Sequence, residues 1–291
     1  PSGERLFCNN KSGITLNWSN ESQLSMNRIY LILLSIVFIL SSCTEKEESV
    51  PEKEGRIIIL MYHRIVDGEP GNLYERSLQD FESDLMYLID NNVHVVDFTD
   101  LANISATGKM PEGNSAILTF DDGDNSWYNL VAPTLIRYRM KATFFLWTYM
   151  IDNNSFLTWN EVEYMSNYTL TNGKKPFSFG SHTFSHSFLY QSRNNYETAE
   201  EYNQFLDYEL RESKKKIEEH TPSDVTVLAL PFGDGAGDPD IIAAAQRNGY
   251  QLVRTSVRGA IKNPDFDCFA IPSLPILSDT RPEQIGSYLF N

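Results

Sequence analysis

The chain has 291 residues, 41% of them hydrophobic, enough for one large domain or two small ones with a packed core. Its 24 Lys and Arg stand against 39 Asp and Glu, a formal net charge of -15. With no basic cluster long enough to track a phosphate backbone, that balance excludes nucleic acid as an expected partner.

The first predicted element is the segment "MNRIYLILLSIVFILSSC", Met26 to Cys43. It sets one Arg before a nearly unbroken apolar run from Ile29 to Leu40 and ends in small residues. At about a dozen residues the run is short for a membrane span and suits a signal-peptide core. The ending "LSSC" resembles a bacterial lipobox, in which the cysteine is lipidated and becomes the mature N-terminus. An uncleaved anchor helix and an ordinary signal peptide are the alternatives. The expected layout is therefore a leader or non-native segment over 1–25, a lipoprotein signal peptide over 26–42, lipidation at Cys43, and a charged, flexible tether over 43–55. The protein is accordingly expected to be exported and lipid-anchored to the cell envelope, at the outer membrane or cell surface. Cys268 is then the one cysteine of the folded part; no internal disulfide is expected, and Cys268 reads as a small buried apolar residue.

From residue 56 to 291 the pattern is that of one domain. "RIIILMYH" reads as a buried strand. "SLQDFESDLMYLIDNN" reads as a helix with Ser77 as N-cap. "VHVVDF" is strand-like, "FTDLANIS" helix-like, and "SAILTF" is a buried strand running up to Asp121 and Asp122. "NLVAPTLIRYRM" is a helix whose start Pro133 limits. Strand "ATFFLW", helix "TWNEVEYMSNY", strand "FSFGS" and the long amphipathic helix "ETAEEYNQFLDYELRESKKKIEEH" follow. Strand "VTVLALPFG", helix "DPDIIAAAQRNGY" and strand "QLVRTS" complete the alternation. Strands alternating with helices predict an α/β fold with a mostly parallel sheet, and a barrel fits best because polar functional groups recur where strands end.

Two of those strand ends carry chemistry. After "SAILTF", a turn would expose both carboxylates of Asp121 and Asp122; alone, "DDG" is common in turns. After "FSFGS", the segment "HTFSH" sets His182 and His186 four residues apart. Imidazoles so spaced can meet on one helical turn or tight loop, and with a carboxylate they make a three-ligand metal site with open positions. Two surface histidines are the alternative for that spacing alone; with the Asp pair at another strand end, the metal site is the favoured reading. His94, between apolar neighbours, reads as structural, and His220 as a solvated cation at a helix C-terminus.

"TFDDG" (Thr119 to Gly123) and "HTFSH" (His182 to His186), with the collinear "APTLIRYRMKATFFL", "LTWNEVEYM" and "LPFGDG", resemble the polysaccharide deacetylases of the NodB-homology type. The resemblance runs from about Ile57 to the C-terminus, and "LMYHRI" brings it closest to the poly-N-acetylglucosamine deacetylase branch. It implies a distorted (β/α) barrel with about seven strands. It implies that Asp122, His182 and His186 hold a divalent metal, zinc by default with cobalt or nickel possible. By the same resemblance Asp121 is the general base, His63 the general acid, and Pro231 and Phe232 line the substrate groove. The implied reaction is hydrolysis of N-acetyl groups from an N-acetylglucosamine-containing polysaccharide. An O-acetyl glycan esterase, acting for example on acetylxylan, and a non-catalytic glycan-binding lipoprotein are the alternatives. Three family features are missing. Ala229 stands where many relatives have an Arg paired to the base, Ser273 where the permuted branch often places an Arg, and no Asp-Trp element is recognisable to orient the acid His. Arg254 and Arg258 are the candidates to replace the missing charge.

Overall fold

The computed structural model describes residues 55–290. Contacts divide the chain between Pro51 and Glu52, and every described residue belongs to the second unit. The expected leader, the signal peptide, Cys43 and the tether up to Glu54 lie outside the described residues. Among the described residues no helix is long and apolar enough to cross a membrane.

In chain order, β1 (Ile57–Tyr62) is buried along its whole length, as a strand flanked by parallel neighbours and covered on both faces must be. A short parallel arm follows, β2 (Arg64–Val66) with β3 (Glu75–Ser77). Helix α1 (Leu78–Asp90) begins where the Ser77 hydroxyl accepts the Asp80 N–H. Next come β4 (His94–Val96), α2 (Phe98–Thr107) with an Asp97/Asp100 capping box, and β5 (Ser115–Asp122).

The expected helix after β5 is shorter than its apolar pattern suggested. Pro133 has no N–H to give, so Trp127–Val131 forms a wide π turn, and regular α3 spans only Ala132–Tyr138. Then follow β6 (Ala142–Leu146), α4 (Trp159–Asn167) and β7 (Phe177–Ser181). The long α5 (Ala199–His220) is opened by a Thr198/Glu201 capping box. β8 (Val227–Ala229), α6 (Pro239–Arg247), β9 (Leu252–Arg254), β10 (Leu274–Pro275) and α7 (Pro282–Phe290) complete the chain.

The main sheet runs β10-β1-β5-β6-β7-β8-β9, and every pairing in it is parallel. β5 is the hub. One edge pairs with β1 from Ile57↔Ser115 to Tyr62↔Phe120. The other edge is shared: β4 takes Ser115 to Ile117, and β6 takes Thr119 to Asp122. The ends of the sheet approach through one parallel bridge, Arg254↔Ile271, just before β10. The result is the expected distorted (β/α) barrel, with seven strands on its path.

Alternation along β1 separates two cores. Ile58, Leu60 and Tyr62 face the helices, with Phe81, Phe120 and Trp127. Ile57 and Ile59 face the other way with Ile117, Phe145, Val227 and Ala229, and Phe98 and Leu101 of α2 pack into that set. Polar side chains collect at the C-terminal ends of several strands: Asp121 and Asp122 end β5, Ser181 ends β7 and Arg254 ends β9.

Candidate functional site

Asp121 and Asp122 are the last two residues of β5, not turn residues, and Asp121 is only 2% exposed. This corrects the expectation that both carboxylates would be exposed. In a regular strand they would point to opposite faces. Asp122 instead has φ 92°, rare for a residue with a Cβ, and both carboxylates line one cavity of about 490 Å³. The Asp122 carbonyl accepts the Trp147 N–H at 3.2 Å, and Gly123 continues the turn at φ 105°.

His182 directly follows β7. Its N–H donates to the Leu146 carbonyl, and its ring Nδ1 lies 2.9 Å from the Ala229 carbonyl. A carbonyl can only accept, so Nδ1 carries the proton and Nε2 presents a lone pair. Burial pushes this imidazole down to about 4, with the Asp121 carboxylate pulling the other way, so it is neutral near pH 7 and ready to ligate. His182 Nε2 lies 3.1 Å from His186 Nε2 and 3.5 Å from Asp122 Oδ1, and His186 Nε2 lies 3.3 Å from that same oxygen. Burial opposes the Asp122 charge, yet the His186 hydrogen bond and the fields of His182 and His63 hold it well below the usual carboxylate range.

Two imidazole nitrogens and one carboxylate oxygen, all within 4.8 Å of one another, suit a divalent cation. The donor set fits the metal that the sequence implied. The His186 ring is backed by Trp147, stacked at 4.8 Å, and meets Phe232 edge-on at 4.6 Å.

Arg254 supplies the missing charge; Arg258 is exposed at the cavity rim instead. Arg254 is fully buried, and its Nη2 donates to Asp121 Oδ2 at 2.5 Å. Its guanidinium also lies 5.3 Å from the Phe145 ring centre. That ring needs Gly180 beside it, because a Cβ there would meet Phe145 Cε1 at 2.5 Å. The other Asp121 oxygen, Oδ1, is buried and has no hydrogen-bond partner among the described residues. Ser273 has no role at Asp121; its hydroxyl donates to the Thr255 carbonyl at 2.6 Å.

His63 lies between β1 and β2 and lines the same cavity. Its carbonyl accepts the Trp127 indole N–H at 2.7 Å, while its Nδ1 is buried without a partner among the described residues. Tyr74, from the β2–β3 arm, covers the ring at 5.1 Å. The arm is anchored by a buried pair: Arg76 donates twice to Asp84, at 2.7 and 3.0 Å, and the Tyr62 hydroxyl donates to it as well. Burial pushes Asp84 up to about 6 against the pull of Arg76.

Phe232 is a wall of the cavity, 57% exposed, with φ 59° and its ring stacked on Phe188 at 4.0 Å. Pro231 is not part of that wall. It is buried behind, where it opens the short turn Pro231–Gly233 that aims Phe232 outward.

The remaining expectations shift as well. His94, the first residue of β4, is exposed rather than packed among apolar neighbours. His220 is not simply solvated: its Nδ1 contacts Glu163 at 2.7 Å, and its ring stacks on Trp159. Cys268 is half-buried, 3.2 Å from the Ser105 hydroxyl. Sequence reasoning missed Tyr74, Trp147, Phe188 and the turn-holding residues of α5, none of which sits in a recognisable local pattern.

Residues 108–253 match a family model described as polysaccharide deacetylase. That span holds Asp121, Asp122, His182, His186 and Phe232 and stops short of Arg254, with His63 well upstream. Among curated proteins the chain is similar to YxkH of Bacillus subtilis (strain 168), 26% identical over 238 residues, covering 82% of this chain and 77% of that one. It is also similar to the poly-beta-1,6-N-acetyl-D-glucosamine N-deacetylase of Staphylococcus epidermidis, 23% identical over 257 residues, covering 82% and 85%. Among solved structures it resembles the Streptococcus pyogenes deacetylase PplD in complex with acetate. The TM-score is 0.69 at 22% identity, over 82% of this chain and 100% of that one, which is a likeness of fold.

Proposed function

The chain belongs to the polysaccharide deacetylase family, and on that premise we propose that it removes N-acetyl groups from an N-acetylglucosamine-containing polysaccharide by metal-assisted hydrolysis. One observation carries the reading: His182 Nε2, His186 Nε2 and Asp122 Oδ1 converge beside a second carboxylate, Asp121, that is held by Arg254. The staphylococcal relatives, named for poly-β-1,6-linked N-acetylglucosamine, support that polymer as the first substrate to try.

Asp122, His182 and His186 would hold the divalent ion, zinc by default with cobalt or nickel also accepted, and when bound it supplies Lewis acidity toward water and the acetyl carbonyl. The chain's own groups divide the proton work. Arg254 engages one oxygen of Asp121, which leaves Oδ1 to take a proton from water as it attacks the acetyl carbon. His63 gives a proton to the sugar nitrogen as the C–N bond breaks, so acetate and a free amine leave. By the family resemblance, a backbone N–H at the Pro231–Phe232 turn would help to stabilise the oxyanion. Tyr74 and Phe232, both lining the cavity, give the pyranose ring apolar surface to lie against, and Phe188 stacks on the Phe232 ring.

Protein stripped of metal by a chelator is expected to release no acetate from a β-1,6-linked N-acetylglucosamine oligomer, and protein reloaded with zinc, cobalt or nickel to release it. Loaded protein that releases none with any of the three would remove the proposal.

The unpartnered Nδ1 of His63 favours a second reading, hydrolysis of O-acetyl groups, because a leaving alcohol needs protonation less than a leaving amine does. His63→Ala is therefore expected to lower amide cleavage by roughly 10²-fold or more and ester cleavage by less. Rates measured side by side on an N-acetylated and an O-acetylated oligomer check this; equal losses would remove His63 as the acid.

A further inference from the structure

The turn from His182 to His186 carries two of the three converging ligand atoms, and its backbone is held in an uncommon shape. Thr183 has φ 64° and His186 φ 59°, values that favour glycine. Such a turn persists only if its surroundings hold it. Part of the support is local: the Ser181 hydroxyl accepts the Thr183 N–H, and the Thr183 hydroxyl accepts the His186 N–H, both at 3.1 Å.

The rest comes from the middle of α5. The Glu209 backbone carbonyl accepts the Phe184 N–H at 3.1 Å. Its carboxylate, on a residue only 3% exposed, accepts the Ser185 N–H at 2.8 Å and the Ser185 hydroxyl at 2.7 Å, one on each oxygen. One turn along, Ser213 accepts the Ser181 hydroxyl at 2.8 Å. Beside it, the Tyr208 ring meets Phe184 edge-on at 5.4 Å.

Burying a carboxylate is unfavourable unless donors surround it. The apolar face of α5, with Leu206, Leu210 and Ile217, has no use for one. The donors that justify Glu209 both belong to Ser185, the residue just before His186.

We propose that the Glu209 carboxylate is a positioning residue that fixes the His182–His186 turn, and through it the spacing of the two imidazoles. The inference rests on the metal reading above. A helix seen as mere scaffold would not need this group. The Phe184 contact uses the backbone of Glu209 and survives any substitution there, so a side-chain change isolates the carboxylate. Glutamine can keep the clamp: its amide oxygen accepts the Ser185 N–H, and its NH₂ donates to the Ser185 oxygen. The Ser185 hydroxyl then turns to Ser187, which lies 2.7 Å away. Alanine cannot.

The test is the zinc dissociation constant of the full chain, read by competition with a chromogenic chelator, beside the thermal midpoint of the metal-free protein. Glu209→Ala is expected to weaken zinc by roughly 10–100-fold, and Glu209→Gln to stay within a few-fold of the parent. An alanine variant that binds zinc as the parent does overturns the proposal. So does a glutamine variant as weak as alanine. If Glu209→Ala fails to fold, Ser185→Ala removes the hydroxyl half of the clamp from the loop side and is expected to weaken zinc several-fold; unchanged affinity there overturns the proposal as well. A parent protein that binds no zinc removes the metal reading itself, before any variant is compared.

Discussion

Asp121→Asn lowers kcat/KM for acetate release by roughly 10²–10⁴-fold, the range that a positioned general base contributes, and leaves zinc affinity close to that of the parent. Asparagine has the shape of aspartate, and its amide oxygen can still accept from Arg254. What it loses is the second oxygen: the position of Oδ1, unpartnered in the parent, becomes an NH₂ that cannot take a proton. Zinc affinity holds because Asp122, His182 and His186 are untouched. Stability does fall, by about 3–5 kcal/mol, because the buried guanidinium keeps a hydrogen bond but not its counter-charge. The rate is therefore read on protein whose folded fraction is known from its unfolding curve. Activity within a few-fold of the parent would show that Asp121 is not the base.

The strands were legible because parallel strands covered on both faces must be continuously apolar, as Ile57–Tyr62 and the first part of Ser115–Asp122 are. The three converging donors were legible for a different reason: His182 and His186 are neighbours in sequence, and Asp122 closes a strand. The rest of the site is assembled over distance. Arg254 meets Asp121 across 133 residues, and Glu209 meets Ser185 across 24. Neither pairing leaves a periodic trace, and a buried arginine or glutamate reads in sequence like any solvated one. The misjudged exposure of Asp121 has a local cause, since nothing in "DDG" announces that Asp122 adopts a positive φ and turns its side chain back beside its neighbour's. β2, β3 and β10 have only two or three residues each, too few for alternation to register. Yet the arm built on β2 and β3 is what lays Tyr74 over His63.

Arg254→Ala is expected to cost about 3–5 kcal/mol of stability and most of the activity, because it strands a buried carboxylate. The geometry also predicts how to repair it. Ala229 stands where the sequence resemblance implies an arginine, and in the sheet it is the register partner of Arg254: β8 and β9 pair Val227↔Leu252, Leu228↔Val253 and Ala229↔Arg254. Partners in a parallel register share a face, so an arginine at position 229 would be placed to address the same aspartate from one strand over. The double variant Ala229→Arg/Arg254→Ala should therefore recover a large part of what the single change loses, at least tenfold in kcat/KM together with a raised urea midpoint. Ala229→Arg alone should lose activity, since two buried guanidinium groups would compete for one carboxylate and the added side chain would overpack a buried cluster. A double variant no better than Arg254→Ala would show that strand position matters beyond delivery of the charge, and the Arg254–Asp121 pair would then be specific to this chain rather than a relocated form of the family's own.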